Sequence, residues 1–129
     1  MSDRIPDAPL TRHGYYEVRP LDVLGRDDLL FVDVRPIVDL SRDFGHIEGV
    51  RQHPGADVLD TGLPGVDPNT PVVLVCNNGR ETRRLVIALV KDHGFTEVYH
   101  LVGGMLRWTA EERPTSKAAD TWSTLVASA

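Results

Sequence analysis

Two stretches of this chain, residues 29–34 (LLFVDV) and 71–76 (PVVLVC), are apolar at nearly every position. A strand with one wet face alternates apolar and polar residues, whereas a strand covered on both faces has no need to. Both stretches are therefore expected as strands buried between two layers. Residues 82–93 show a helical period instead, with Leu85, Val86, Leu89 and Val90 on one face and Ala88 among them. Gly94 follows, where a left-handed residue caps a helix. Strands alternating with helices within 129 residues indicate one α/β domain with a mostly parallel sheet.

The weaker elements fit around this frame. Residues 15–18 are expected as a short strand and residues 20–26 as a short helix with Pro20 in its first turn. Residues 37–40 read as one helical turn, residues 97–101 as a further short strand, and residues 105–112 as a helix ended by Pro114. Glycines and prolines mark residues 43–54 and 56–71 as loop and irregular connection. Residues 1–14 read as an N-terminal arm, 15–113 as the domain, and 114–129 as a tail, either an added helix or a segment without fixed structure.

The net charge of -5 argues against nucleic acid as a default partner, because phosphate binding needs a basic face. Lys91 and Lys117 are the only lysines, yet Arg80, Arg83 and Arg84 cluster and set up a local positive field. A single cysteine rules out an internal disulfide and suits a reducing compartment. The polar start of the chain carries no leader-like apolar segment. No apolar run approaches the roughly 20 residues that span a bilayer. A cytoplasmic protein is the expectation.

The cysteine stands at an informative place. Cys76 is the last residue of a buried strand, and Asn77-Asn78-Gly79 turn the chain into the next helix. Open α/β sheets place their active sites at the carboxyl ends of strands. A helix N-terminus there presents free N–H groups and the positive end of the helix dipole, which favour an anion such as a thiolate. Arg80, Arg83 and Arg84 act in the same sense and Glu81 against it. The competing view is a small buried hydrophobe at a strand end.

Four segments in order carry a resemblance to the rhodanese-like family: Leu30-Phe31-Val32-Asp33-Val34-Arg35, Gly45-His46-Ile47-Glu48-Gly49-Val50, Val73-Leu74-Val75-Cys76-Asn77-Asn78-Gly79, and Leu101-Val102-Gly103-Gly104-Met105-Leu106-Arg107-Trp108. The resemblance implies a five-stranded parallel sheet flanked by helices on both faces. It implies Cys76 as the catalytic residue, which takes sulfur from a donor such as thiosulfate as a persulfide. The sulfur then passes to cyanide or to a protein thiol such as thioredoxin. Asn77, Asn78, Gly79, Arg80, Glu81 and Thr82 would form the substrate loop, with Asp33, Arg35 and His46 supporting it. Neither an organic cofactor nor a metal is implied. Many members end the loop on arginine, where this chain has Glu81, and Asn77 and Asn78 stand where some members are basic. The segment between Arg35 and Gly45 is also a little longer than usual.

Asp33, Arg35 and His46 read as braces rather than as chemical groups, and Trp108 as core or pocket wall. Gly79, Gly103 and Gly104 read as positions where a Cβ does not fit. His13, His53, His93 and His100 are scattered without metal-ligand spacing. A cysteine phosphatase or arsenate reductase is the nearest rival enzyme. It needs arginine to close a longer loop bidentately on phosphate, and Arg83 arrives one place late. The other rival is a binding module that has lost catalysis, but such modules usually lack the cysteine that this chain keeps.

Overall fold

The computed structural model describes residues 4–125. It contains six parallel strands: β1 (Tyr16–Val18), β2 (Leu30–Asp33), β3 (Arg51–Gln52), β4 (Val72–Val75), β5 (Val98–Leu101) and β6 (Ser123–Thr124). Their order in the sheet is β1-β5-β4-β2-β3-β6. Four α-helices join them: α1 (Pro20–Val23), α2 (Gly55–Thr61), α3 (Arg80–Lys91) and α4 (Gly104–Ala110). Short 3-10 turns cover Ile37–Ser41 and Ala119–Thr121.

The sheet separates two cores, which accounts for the uninterrupted apolar runs. Val73 and Val75 of β4 point to the layer of α1 and α4, with Val23, Met105 and Trp108. Val72, Leu74 and Cys76 point to the layer of α2 and α3, with Val58, Leu85, Val86 and Leu89. Every residue of β4 is buried. Successive side chains of a strand face opposite sides, so a strand between two apolar layers must be apolar throughout.

Two regions read as loop hold regular structure. β3 is two residues long and pairs with the end of β2, too short to leave a period in the sequence. α2 buries only Gly55 and Val58, so its seven residues carry no apolar stripe. Its C-cap, Gly62, has φ 69°, and the glycine that closes the helix is what made the region read as irregular.

The sheet has six strands rather than the expected five. The extra strand is β6, which runs parallel to β3 through the pairs Arg51–Ser123 and Gln52–Thr124. Trp122 packs against the α1/α4 core beside it. The described part of the N-terminal segment packs too, with Ile5 and Ala8 buried.

Ion pairs tie the edges together. The Arg26 and Arg4 guanidiniums hold the Asp28 carboxyl far below the usual carboxylate range. Arg19 acts likewise on Asp22, and Arg107 with Arg113 on Glu111. A carboxylate held low in the folded state contributes its full stabilisation above the ordinary value of about 4 and loses it progressively as pH falls from there toward the lower folded-state value. The thermal midpoint should therefore fall between neutral pH and pH of about 3, and Asp28→Asn should make that fall shallower. The effect is modest because these pairs are largely open to solvent. A pH series by circular dichroism checks it, and parallel curves for wild type and variant would count against Asp28 as a contributor.

Candidate active site

Strand order places the site. The chain leaves β2 toward β3 on one side and leaves β4, through α3, toward β5 on the other. A crevice opens where neighbouring strands send their connections in opposite directions, here beyond the carboxyl ends of β2 and β4. Asp33 and Val75 are register partners there, so the segment at Asp33–Arg35 and the loop at Cys76–Gly79 face each other.

Cys76 is a free thiol, 3% exposed. Three residues, Asn77, Asn78 and Gly79, separate it from the first residue of α3. Its Sγ accepts a hydrogen bond from the Gly79 N–H at 3.1 Å and lies 3.4 Å from the Thr82 Oγ1. Gly79, the N-cap of α3, has φ 86° and ψ -5°, a left-handed conformation that side chains with a Cβ resist. A Cβ on Gly79 would also come within 3.0 Å of the Gly103 nitrogen. Asn78 holds the turn through its Oδ1, which accepts from the Arg80 N–H at 3.0 Å.

The loop is anchored from behind by α4. Met105 N–H donates to the Cys76 carbonyl at 2.9 Å and Leu106 N–H to the Asn77 carbonyl at 2.7 Å. This approach requires a glycine at 104, since any Cβ there would run into the Cys76 carbonyl oxygen. The paired glycines of residues 103 and 104 thus serve the cysteine loop by letting a helix start against it.

Asp33 and Arg35 form the opposite wall as braces. The Arg35 fork meets the Asp33 carboxylate at 2.9 Å and 2.8 Å, and both side chains are buried. The same guanidinium donates to the Gly45 carbonyl at 2.7 Å and to the Asn77 Oδ1 at 3.4 Å. Gln52 holds the Arg35 carbonyl at 2.9 Å. His46 braces a different part of the chain. Its ring bridges the Leu40 carbonyl at 2.7 Å and the Thr121 hydroxyl at 2.6 Å, and so pins the C-terminal segment that supplies β6.

The loop's charged residues lie on two sides. Glu81 is exposed, and its carboxylate packs against Gly55 in a groove shared with Pro36, Ile37 and Val38. Arg80 and Arg83 instead line a cavity of about 460 Å³ with Asn78, Gly79, His100 and Gly103. Tyr15 lies edge-on to the His100 ring, their centroids 6.0 Å apart. Burial raises the Tyr15 phenol above its ordinary value, Glu17 adds to this, and Arg83 opposes it.

His100 is the site residue that sequence reasoning passed over. It is buried, and its Nε2 lies 2.8 Å from the Gly79 carbonyl oxygen. Its place beside Leu74 in the sheet puts it next to the cysteine strand, a neighbourhood visible only once β4 and β5 are paired. Among the described residues, no three or more His, Cys, Asp or Glu side chains gather as a metal site would require. None of the described helices is long and apolar enough to cross a membrane.

A lone cysteine ending a buried parallel strand, followed by a short glycine loop at a helix N-terminus, defines the class of α/β domain to which this arrangement corresponds. Residues 11–111 match the rhodanese-like domain family, and the chain belongs to that family. It is 31% identical over 87 residues to the probable adenylyltransferase/sulfurtransferase MoeZ of Mycobacterium tuberculosis. That alignment takes in 67% of this chain and 21% of the relative, so the chain spans about a fifth of the relative's length. Among solved structures, the rhodanese-related protein of Thermoplasma volcanium superposes with a TM-score of 0.68 at 18% identity, covering 79% of this chain and 98% of that one. The Alr3790 protein of Anabaena superposes with a TM-score of 0.63 at 26% identity, covering 75% of this chain and 73% of that one.

Proposed function

We propose that this domain is a sulfurtransferase whose Cys76 carries sulfur as a persulfide. The observation that carries the reading is the environment of Sγ, which receives the Gly79 N–H and lies beside the Thr82 hydroxyl at the start of α3. A backbone N–H aimed at the sulfur, with a hydroxyl beside it, is the kind of contact that a sulfur nucleophile can use. Family membership and the relative described as a sulfurtransferase support the same chemistry.

The reaction is two displacements through a covalent intermediate. The Cys76 thiolate attacks the outer sulfur of a donor such as thiosulfate. A sulfur–sulfur bond forms on Cys76, and the old one breaks as sulfite leaves with its electron pair. An acceptor nucleophile, cyanide or a protein thiolate such as that of thioredoxin, then attacks the outer sulfur, and the Cys76 thiolate departs restored. The intermediate is made from the protein's own sulfur, so the cycle draws on neither a metal nor an organic cofactor. Arg80 and Arg83 offer positive charge beside the loop for an anionic donor, a part that Glu81 does not play. A lone thiol that must return to the thiolate suits a reducing setting such as the cytoplasm.

The short loop also separates this chemistry from phosphate-ester hydrolysis. Only three residues stand between Cys76 and α3, and Glu81 and Thr82 hold the places where a closing arginine would grip a tetrahedral oxyanion bidentately. The test is the intact mass of the protein after incubation with thiosulfate. One added sulfur atom, discharged as thiocyanate when cyanide follows, is the expected result. A readily alkylated thiol that gains no sulfur from thiosulfate or any other sulfane donor would overturn the reading.

A further inference from the structure

The two displacements give His100 no part, yet it touches the cysteine loop from inside the fold. Its Nε2 lies 2.8 Å from the Gly79 carbonyl oxygen. A carbonyl only accepts, so Nε2 carries the hydrogen and donates it. Nδ1 is buried without a hydrogen-bond partner, and the Glu17 carboxylate stands 3.5 Å from it. Glu17 and His100 are register partners of β1 and β5.

The Gly79 carbonyl has a second suitor. The Thr82 Oγ1 lies 3.3 Å from that oxygen and 3.4 Å from the Cys76 Sγ. A hydroxyl has one hydrogen to give, so Thr82 serves one acceptor at a time. When Cys76 is a thiol, its S–H donates to the Thr82 oxygen and the Thr82 hydrogen goes to the Gly79 carbonyl. When Cys76 is a thiolate, it has no hydrogen and needs donors, and the Thr82 hydrogen turns to sulfur. As the N-cap of α3, the Gly79 carbonyl already gives one of its two lone pairs to the first intrahelical hydrogen bond, and the other would then lose its donor in a buried place, which costs free energy. The His100 N–H removes that cost, because it satisfies the carbonyl in both states.

We infer that His100 is a positioning residue that frees the Thr82 hydroxyl for the anionic sulfur of Cys76. The inference rests on the reading of Cys76 as a nucleophilic sulfur. Its reacting form is the thiolate, before the first displacement and again after the second. His100 touches neither the sulfur nor a substrate; it acts through the Gly79 carbonyl and Thr82. Glu17 stands behind the ring at Nδ1.

The test is a double-mutant cycle read by the alkylation rate of Cys76 with iodoacetamide at pH 7. This neutral reagent reports thiolate without needing sulfur transfer. His100→Leu should slow alkylation about tenfold, the size of a lost hydrogen bond to a charged group. Thr82→Val should slow it by a similar factor. In the double variant the loss should be no greater than in Thr82→Val alone, because there is no hydroxyl left to free. His100→Gln, whose amide nitrogen reaches the same carbonyl, should restore the rate, while the shorter His100→Asn should not. The two amide variants keep the comparison available if His100→Leu does not fold. An unchanged rate in both His100→Leu and His100→Asn, or losses that multiply in the double variant, would overturn the inference. The expected alkylation pattern in a protein that takes up no sulfur would uphold the positioning role and overturn only the sulfur-carrier reading.

Discussion

Cys76→Ser should take up no sulfur from thiosulfate, and its thiocyanate production should fall by about 10⁴-fold or more, the size of effect that follows loss of a covalent nucleophile. The physical reason is narrow. Serine is nearly isosteric and meets the same Gly79 N–H and Thr82 hydroxyl that the sulfur meets at 3.1 Å and 3.4 Å. What is lost is the soft, easily ionised atom that attacks another sulfur, since a hydroxyl at neutral pH is a poor nucleophile without a base beside it. The fold should survive, with a stability change below about 1.5 kcal/mol for so conservative a swap. Intact mass and urea unfolding on the same sample separate the two effects. Sulfur retained on the serine variant would place the carrier elsewhere and end the assignment of Cys76.

Arg35→Met should cost about 3–5 kcal/mol of folding stability, the usual penalty for stripping the partner from a buried charge. Asp33 is fully buried, and Arg35 supplies two of the hydrogen bonds on its carboxylate from the side-chain fork and a third from its backbone N–H at 3.1 Å. With the guanidinium gone, the carboxylate has no counter-charge, and the Gly45 carbonyl loses its 2.7 Å donor. A domain of this kind holds only about 5–15 kcal/mol in total, so a large part of its stability goes. Arg35→Lys should recover part of the loss but not all, because an ammonium keeps the charge and cannot repeat the planar fork. Pairing Arg35→Met with Asp33→Leu removes both charges and should be less damaging than Arg35→Met alone. Urea midpoints of the four proteins decide it. Equal stability of Arg35→Met and wild type would show that the ion pair contributes nothing net.

These two variants probe parts of the site that differed in how far they could be read in advance. Cys76 was legible because its position is a local fact: an apolar run ends on it, and a glycine turn and an amphipathic segment follow. The bracing role of Asp33 and Arg35 was legible from their place at the end of the other apolar run. Their bidentate geometry and their reach to Gly45 and Asn77 were not, since those contacts span 10 and 42 residues of sequence. His46 was read as a brace, and its ring bridges the Leu40 carbonyl and the Thr121 hydroxyl, partners 6 and 75 residues away in sequence. His100 is the residue that was missed. Its segment was expected as a strand, yet nothing in its spacing said that this strand lies beside β4.

The sequence alone determined the layered α/β architecture, the buried central strands and the place of Cys76 at a strand end, because each rests on short-range pattern. Continuous apolar runs demand cover on both faces, and a strand–glycine turn–helix transition sets a residue at a helix N-terminus whatever surrounds it. Tertiary structure decided the sixth strand, the two-residue β3, the weakly patterned α2, and the distribution of charge around the loop. β3 and β6 gain their hydrogen bonds only from neighbours already in place, and two residues carry no period of their own. Glu81 and Arg80 are adjacent in sequence and line different sides of the loop, because a helix turns successive side chains apart. The same long-range pairing of β5 with β4 and β1 brings Glu17, His100, Gly79 and Thr82 into one chain of contacts behind the sulfur.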